Sequence, residues 1–327
     1  MKAPETIIIT GVAGFIGSNL AQRLLSQGHM VIGIDDLSHG FERNMAALRS
    51  NPHFTFLKGD IGDKNILNAH KAEVLVHLAS QKIPRYTNAL KTLEQNYELL
   101  KNVVQKCVKD KAKIVFASTS DVYGKNKQLP LHEDSELVLG STKIKRWAYA
   151  LSKIYGEQFI IANSDEYGLD YTIVRFFGSY GINQNLSWWG GPQSVFIEKA
   201  LKKEPIEIHG DGLQTRTFTY IDDTISGLMD CIFEERASEE IFNIGSNTTE
   251  EISILDLAKL IWSLVNGKDS KILLNFIPYE QFGRYEDVNR RVPDIEKIKS
   301  FFGYSPKVSL EEGLRKTIEW QKTVMGK

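Results

Sequence analysis

A short apolar segment followed by regularly spaced glycines limits the fold of this chain more than any other feature. Residues 6–10 read Thr-Ile-Ile-Ile-Thr and lead directly into a G-x-x-G-x-x-G segment. We expect a strand, a tight turn and a helix whose free N-terminal amides bind a pyrophosphate, although the spacing differs from the usual G-x-G-x-x-G. The predicted cofactor-binding positions of this turn are Gly11, Gly14, Phe15, Ile16 and Gly17.

An acidic pair ends the second apolar segment. Residues 30–34 read Met-Val-Ile-Gly-Ile and are followed by Asp35 and Asp36, roughly twenty residues beyond the glycine turn, where a carboxylate binds the ribose hydroxyls of an adenosine. An acid at this position repels a 2′-phosphate. The sequence therefore predicts a dinucleotide site that prefers NAD to NADP, with both acids contacting the cofactor.

Strand-like and helix-like segments then alternate along the chain. The strands are expected near residues 54–57, 74–78 and 114–117, and the helices near residues 64–70 and 90–108. This alternation is typical of an α/β fold with a doubly wound parallel sheet, the Rossmann arrangement. Such sheets bind ligands at the carboxyl ends of their strands. The residues expected to contact the cofactor there are Asp60, Ile61, Leu78, Ala79 and Ser80.

Composition excludes several classes of protein. The 40 Lys and Arg residues nearly balance the 41 Asp and Glu residues, so nothing indicates a nucleic-acid or membrane surface, and we expect small-molecule partners. Cys107 and Cys231 lie in apolar segments without metal-ligand spacing, which predicts no disulfide framework and no metal site. We expect a cytoplasmic protein, because no signal-peptide core or membrane-length apolar run is visible.

A tyrosine and a lysine four residues apart mark the predicted active site. Tyr149 and Lys153 lie in a segment with apolar residues at helical spacing, so they share one face of a helix. A nearby ammonium favours the phenolate, and a bound oxidised nicotinamide adds a second positive charge. Tyr149 is therefore a candidate base near neutral pH, with Lys153 lowering its pKa. By itself, such a pair is more often part of an ordinary amphipathic helix.

A hydroxyl-rich segment, read together with these features, indicates a protein family. Residues 118–124 read Ser-Thr-Ser-Asp-Val-Tyr-Gly, and together with the glycine turn and Y-x-x-x-K they resemble the extended short-chain dehydrogenases/reductases of the nucleotide-sugar epimerase/dehydratase kind. The resemblance implies that Thr119 hydrogen-bonds the sugar C4 oxygen, that Tyr149 is the base and that Lys153 holds the nicotinamide ribose. It also implies cofactor contacts at Lys82, Asn96 and Phe177.

Two positions depart from the family pattern on the sugar side. Residues 175–181 resemble R-x-F-N-x-Y-G-P, but Gly178 replaces the Asn that commonly contacts substrate, and Ile182 replaces the Pro. The aromatic pair Trp188 and Trp189 follows. These rings either form a wall for the sugar or simply pack beneath a surface turn, and the sequence favours neither.

The second part of the chain resembles the family's substrate lobe. Arg216, within Gly210–Asp223, and Arg291, within an R-x-P-D-I-like segment, are implied to bind the substrate diphosphate, since the guanidinium fork matches phosphate oxygens. His209 is implied to stack on the base. We expect a Rossmann domain at residues 1–178, with some later segments returning to it, and a mainly substrate-binding lobe at residues 179–327.

The resemblance implies an NAD-retaining enzyme that oxidises a nucleoside-diphosphate sugar at C4, as a homodimer formed by the helices near residues 90–108 and 147–162. We expect a 4-epimerase, the commonest activity of the family. A 4,6-dehydratase or a decarboxylase of the UDP-glucuronate type remains an alternative, because Asp121 lies where those enzymes carry an acid and because residues 145–147 resemble decarboxylases. A non-catalytic NAD sensor is an alternative of another class.

Overall fold

The computed structural model describes residues 4–82, 88–246, 248–284 and 286–326. Its strands are β1 Thr6–Thr10, β2 Met30–Asp35, β3 Phe54–Lys58, β4 Val74–His77, β5 Lys113–Thr119, β6 Tyr171–Phe176, β7 Ser179–Tyr180, β8 Ile206–His209, β9 Thr215–Arg216, β10 Thr219–Tyr220, β11 Glu240–Ile244, β12 Ile252–Ser253, β13 Leu274–Ile277 and β14 Arg290–Arg291. Its helices are α1 Phe15–Ser26, α2 Lys64–Asn68, α3 Ala89–Asp110, α4 Trp147–Tyr167, α5 Pro192–Lys202, α6 Ile221–Phe233, α7 Ile254–Asn266, α8 Glu296–Phe302 and α9 Leu310–Met325.

A seven-stranded parallel sheet organises the described residues of the first part of the chain. Its order is β11-β6-β5-β4-β1-β2-β3, and β1 pairs in parallel with both β2 and β4. The chain reverses its direction of winding at β1, which creates the switch point where such sheets bind ligands. The predicted doubly wound α/β fold is confirmed.

The core of this sheet follows from its strand sequences. Ile7, Ile8 and Ile9 of β1 are at most 1% exposed, as expected for a parallel strand covered on both faces. Asn88 caps the start of the long helix α3, because its side chain accepts a hydrogen bond from the Leu90 N–H, and Lys111 follows the helix in a left-handed conformation. It buries Leu100, Val103, Val104 and Cys107 against the sheet.

Helix α2 is shorter than the sequence predicts. It ends at Asn68 instead of continuing to residue 70, and the carbonyl of His70 accepts a hydrogen bond from the ammonium of Lys106 instead. Helix α4 extends further than the expected residue 162, to Tyr167. Among the helices of the described residues, none is both long and apolar enough to span a membrane.

The chain divides into two compact units. The first unit comprises Met1–Val122, Ala148–Arg175 and Ile225–Phe242, and the second comprises Tyr123–Trp147, Phe176–Thr224 and Asn243–Lys327. The chain therefore passes between the units several times. Residues 123–147 group with the later part of the chain, whereas residues 225–242 return to the first unit.

The second unit is built from short strands and covering helices. Strands β8 and β13 pair in parallel, and β9 lies between β12 and β14. Two of its helices begin with a serine cap: Ser253 accepts a hydrogen bond from the Asp256 N–H, and Ser309 accepts one from the Glu312 N–H. These serines satisfy backbone donors that the helix itself leaves unpaired. They also set the points at which α7 and α9 begin.

Candidate active site

The turn between β1 and α1 has the shape that a pyrophosphate site requires. Gly11 has a φ of 78°, and a Cβ atom on Gly17 would lie 2.3 Å from the Gly11 carbonyl oxygen. Gly14 caps α1 without a side-chain hydrogen bond, and the N–H groups of Phe15 and Ile16 have no acceptor within a helix that starts there. These amides fit the phosphate oxygens of a dinucleotide.

Asp35 fits the adenosine ribose of that dinucleotide. Its carboxylate is 8% exposed and accepts hydrogen bonds from the N–H groups of Ala13 at 2.9 Å and Leu37 at 2.8 Å. Burial raises the pKa of Asp35, while these two hydrogen bonds oppose the rise. The remaining lone pairs can accept ribose hydroxyls. Asp36 is exposed and accepts hydrogen bonds from Ser38.

Other predicted cofactor residues line the ends of the neighbouring strands. The Ala79 N–H donates to the Thr10 hydroxyl over 3.3 Å. Asp60 is exposed and accepts the Gly62 N–H, whereas Ile61 belongs to the buried core. Leu78 is partly buried. Direct cofactor contacts at these positions stay predictions.

Asn96 joins the segment after β4 to helix α4. Its Oδ1 accepts from the Ser80 hydroxyl and the Gln81 N–H, and its Nδ2 donates to the Gln81 carbonyl and the Ser152 hydroxyl. Ser152 is adjacent to Lys153 in α4. Asn96 therefore anchors the predicted cofactor segment beside the Tyr149 and Lys153 helix, whether or not it also contacts the cofactor.

Helix α4 presents Tyr149 and Lys153 together. The Lys153 ammonium is buried, donates to the Ala117 carbonyl over 2.7 Å, and lies 5.9 Å from the centroid of the Tyr149 ring. Burial lowers the pKa of Lys153 to about 7; the charge of Glu157 raises it and that of Lys82 lowers it. The proximity that the four-residue spacing predicts is therefore present.

Thr119 and Asp121 lie where β5 ends. The Thr119 hydroxyl accepts a hydrogen bond from the Asp121 N–H over 3.2 Å, which leaves the hydroxyl proton directed elsewhere. Lys82 is an exposed residue as a whole, but its ammonium is surrounded by protein atoms. This local burial lowers the pKa of Lys82, and the charge of Asp121 raises the same pKa. The first unit therefore holds Thr119, Asp121, Tyr149 and Lys153.

A partly buried acid in the second unit holds two arginines. The Asp287 carboxylate lies 3.1 Å from Nη2 of Arg216 and 3.4 Å from Nη1 of Arg146, and it accepts the Tyr279 hydroxyl over 2.8 Å. Burial pushes the pKa of Asp287 upward, but the two guanidinium charges outweigh burial and hold it below its usual range. The sequence interpretation included Arg216 but missed Asp287.

Arg291 lies beside Arg216 on the adjacent strand. Strand β14 pairs in parallel with β9, and the register places Arg291 opposite Arg216. Two guanidinium groups on neighbouring strands match the charge of a diphosphate. That both bind one diphosphate stays a prediction.

The His209 ring is packed among other aromatic rings. Trp188 stacks on it with centroids 4.5 Å apart, and Phe282 lies at 4.6 Å. Trp188 also contacts Phe196 edge-on at 6.0 Å. Trp188 therefore packs on neighbouring rings, while its role as a wall for the sugar and the stacking of His209 on a nucleotide base both stay predictions.

The backbone conformation at residue 178 and the space around it require a glycine. Its φ is 53°, and a Cβ atom there would lie 2.3 Å from the Thr217 carbonyl oxygen. Any other residue, including the family's Asn, would meet this oxygen. The preceding Phe177 is 1% exposed and packs against Tyr123, so its predicted contact with the cofactor stays a prediction.

The fold and these residues define a class of protein: a dinucleotide-dependent enzyme with a tyrosine and lysine pair. Residues 7–245 match the model of the NAD dependent epimerase/dehydratase family, and the chain belongs to that family. The predicted resemblance to extended short-chain dehydrogenases/reductases of the nucleotide-sugar epimerase/dehydratase kind is confirmed. NAD is the cofactor, and the glycine turn and Asp35 fit it.

Known proteins resemble this chain over nearly its whole length. It is 35% identical to UDP-N-acetyl-alpha-D-glucosaminuronate decarboxylase of Bacillus cytotoxicus, covering 97% of this chain and 98% of the relative. It is 32% identical to a putative UDP-glucose 4-epimerase of Methanocaldococcus jannaschii, covering 97% and 98%. The structure of UDP-glucuronic acid 4-epimerase from Bacillus cereus with UDP-glucuronic acid and NAD aligns with a TM-score of 0.86 at 28% identity, covering 98% and 99%.

Proposed function

We propose that this protein binds a UDP-linked uronic acid and oxidises its C4 hydroxyl, with Tyr149 as the base. The observation that carries the proposal is the buried Lys153 ammonium, 5.9 Å from the centroid of the Tyr149 ring. A cation at this distance favours the phenolate form of the tyrosine. A phenolate at the sugar hydroxyl is a base suited to neutral pH.

The proposed reaction gives each candidate site residue of the first unit a defined task. Tyr149 takes the proton of the C4 hydroxyl, and Thr119, oriented by the Asp121 N–H, hydrogen-bonds the C4 oxygen. Lys153 holds the nicotinamide ribose and balances the charge of the phenolate. When bound, NAD would accept the hydride that leaves C4. This oxidation converts the substrate into a 4-keto sugar.

A carboxylated sugar is the substrate class that the relatives favour. The Bacillus cytotoxicus relative is named for a glucosaminuronate, and the Bacillus cereus structure contains UDP-glucuronic acid. A 4-keto group lies β to the C6 carboxylate, so the keto sugar can lose carbon dioxide. We therefore place decarboxylation first, although the sequence alone favoured 4-epimerisation.

Asp121 supports an enzyme that acts on the 4-keto sugar. It follows Thr119 by two residues at the end of β5, and its charge acts on the Lys82 ammonium. An acid and a lysine at this position can donate the proton that replaces the lost carboxylate. A simple epimerase needs no acid there.

4-Epimerisation is the second candidate. It is favoured by the Methanocaldococcus jannaschii relative and by the Bacillus cereus structure, which are named as 4-epimerases. Both reactions begin with the same oxidation by Tyr149. The reported relatives are enzymes, which argues against a non-catalytic NAD sensor.

Arg216 and Arg291 are proposed to bind the diphosphate of the substrate. Arg216 is held by Asp287, so its guanidinium is already oriented before a ligand arrives. A preoriented guanidinium loses less entropy when it pairs with phosphate. Arg146 shares Asp287 and adds a third cation to the same unit.

Product analysis tests the proposed function. The purified protein is incubated with UDP-linked uronic acids and with the matching UDP-hexoses, and the products are identified by mass spectrometry and NMR. We expect loss of carbon dioxide from a uronic acid and no reaction of the hexoses. An inverted C4 with the carboxylate retained supports the second candidate. Turnover restricted to neutral hexoses contradicts a uronate substrate.

A homodimer is proposed through helices α3 and α4. Large apolar side chains are exposed on these helices, with Leu90 58% and Leu151 50% exposed, and Tyr97 contacts Tyr155 edge-on at 5.5 Å. Exposed apolar surface on neighbouring helices is typical of an interface. Sedimentation velocity at micromolar concentration should show a dimer, and a monomer would contradict this part of the proposal.

A further inference from the structure

A buried polar network lies directly behind Lys153. Arg175 of β6 donates to both carboxylate oxygens of Glu157, from Nε over 3.0 Å and from Nη2 over 2.6 Å. The Ser118 hydroxyl donates to Oε1 of the same carboxylate. The three side chains are between 3% and 4% exposed. Their hydrogen bonds cross from helix α4 to strands β5 and β6.

Stability alone does not explain an ion pair at this depth. Moving two charges out of water is costly, and apolar side chains of similar volume often stabilise a core equally well. The presence of a buried pair of this kind therefore suggests a task other than holding the fold together. The position of the pair indicates what that task is.

Two members of the network, Glu157 and Ser118, border Lys153. Glu157 follows Lys153 by one turn of α4, and Ser118 is adjacent to Ala117, whose carbonyl accepts the hydrogen bond of the Lys153 ammonium. The network therefore fixes the strand carbonyl that holds Lys153 and places a carboxylate on the same helix face.

The charges around Lys153 oppose one another. Burial lowers the pKa of Lys153 and the Lys82 charge lowers it further, whereas the Glu157 charge raises it. His77 on β4 is buried, and its pKa is lowered to about 3 by burial and by Lys153, so it adds no charge at neutral pH. Tyr149 faces the ammonium from α4. Within the part of the chain that the structure describes, Glu157 is the negative group that acts on Lys153.

We propose that Glu157, held by Arg175 and Ser118, is a positioning residue that keeps Lys153 protonated beside Tyr149. The inference rests on the proposed roles of Tyr149 and Lys153. A neutral Lys153 no longer favours the Tyr149 phenolate, so the proton of the pair stays on the tyrosine. The base is then lost without any change in the groups that contact substrate.

An NMR titration of Lys153 tests this inference without any substrate. Lysine is labelled with ¹³C at Cε in the NAD-bound protein, and the Lys153 signal is assigned by its loss in Lys153→Met. Glu157→Gln removes the charge but keeps the size. We expect the titration midpoint of Lys153 to fall by at least about one pH unit. Glu157→Asp keeps the charge and disturbs the packing, and its midpoint should remain closer to that of the unmodified protein.

The variants separate charge from structure. If Glu157→Gln does not fold, the double variant Glu157→Gln/Arg175→Met removes both buried charges together. The titration midpoint of Lys153 should then fall as well, but by less than is expected for Glu157→Gln alone. An unchanged midpoint in the folded variant overturns the inference, as does an equal fall in Glu157→Asp. A shifted midpoint in a protein that turns over no nucleotide sugar supports the inference and contradicts the proposed function. With a substrate, Glu157→Gln should lower kcat and leave KM unchanged.

Discussion

The Lys153 ammonium lies 5.9 Å from the centroid of the Tyr149 ring, and its hydrogen bond to the Ala117 carbonyl holds it there. Helix α4 sets the four-residue spacing of Tyr149 and Lys153, and strand β5 provides the carbonyl that anchors the ammonium. These two elements of the first unit together determine the distance between the ammonium and the ring. This relationship links the parallel sheet to the proposed acid-base chemistry.

Asp35 should make NAD binding sensitive to acid. The ribose hydroxyls donate to the ionised carboxylate, and burial raises the Asp35 pKa above its ordinary value. Protonation therefore competes with the cofactor, and affinity should fall about tenfold per pH unit below that pKa. Calorimetric titration at a series of pH values measures this. Asp35→Asn should bind NAD weakly with little pH dependence, and an equal pH dependence in both proteins would exclude Asp35 as the cause.

Asp35 should also discriminate between the two cofactors. The carboxylate repels the 2′-phosphate of NADP, so the protein should bind NAD much more tightly. Asp35→Ala should reduce this preference, because the repelling charge is gone. Equal calorimetric affinities of the unmodified protein for NAD and NADP would remove Asp35 from the ribose site.

Arg216 and Arg291 should contribute to diphosphate binding, whereas Arg290 should not. Arg290 is an exposed residue paired with Glu251 at 2.7 Å, which makes it a matched control beside Arg291. Arg216→Ala and Arg291→Ala should each weaken UDP binding by ~1.5–3 kcal/mol, the usual effect of a lost charged hydrogen bond. NAD affinity should stay constant. Equal losses in Arg290→Ala would show that general charge, and not a site, attracts the ligand.

Gly178 should tolerate substitution less well than Gly168. Both have positive φ, but an added Cβ at Gly168 meets nothing within 4 Å, whereas at Gly178 it lies 2.3 Å from the Thr217 carbonyl oxygen. Gly168→Ala should cost roughly 1–2 kcal/mol of unfolding free energy from backbone strain. Gly178→Ala should cost more, because strain and overlap combine. Denaturant unfolding measures both, and equal losses would mean that the backbone relaxes at Gly178.

Much of the fold was predictable from local patterns. Strand β1 has the predicted bounds, because a continuous apolar run that ends at a glycine turn has few other solutions. The proximity of Tyr149 and Lys153 follows from helical periodicity alone. The fit of Asp35 to a ribose followed from its place at the end of β2, where its carboxylate also accepts the Ala13 N–H of the glycine turn.

The unpredicted parts depend on contacts between distant residues. Asp287 lies 71 residues from the Arg216 that it holds, and no local pattern relates them. Glu157 carries a spacing signal, four residues after Lys153, but its pairing with Arg175 depends on how α4 packs against β6. The packing of Trp188 on His209 depends on a loop conformation that composition does not specify.

Asp121→Asn should separate the two candidate reactions. A decarboxylase that uses this acid beyond the 4-keto stage should lose most of its activity and accumulate reduced nicotinamide, which is visible by its absorbance. An epimerase should lose little, because its chemistry needs no acid there. Rapid mixing with the UDP-uronic acid substrate, followed by product analysis, gives both quantities. Full decarboxylation by Asp121→Asn would exclude Asp121 from the reaction.

The most direct test of the account is the turnover of Tyr149→Phe. This substitution deletes the ionisable hydroxyl and keeps the ring, so folding and NAD binding should survive while turnover falls by roughly 10²–10⁴-fold, the usual effect of a positioned acid-base group. Tyr167→Phe, at the exposed end of the same helix, is the matched control and should keep full turnover. Full turnover by Tyr149→Phe would contradict the mechanism.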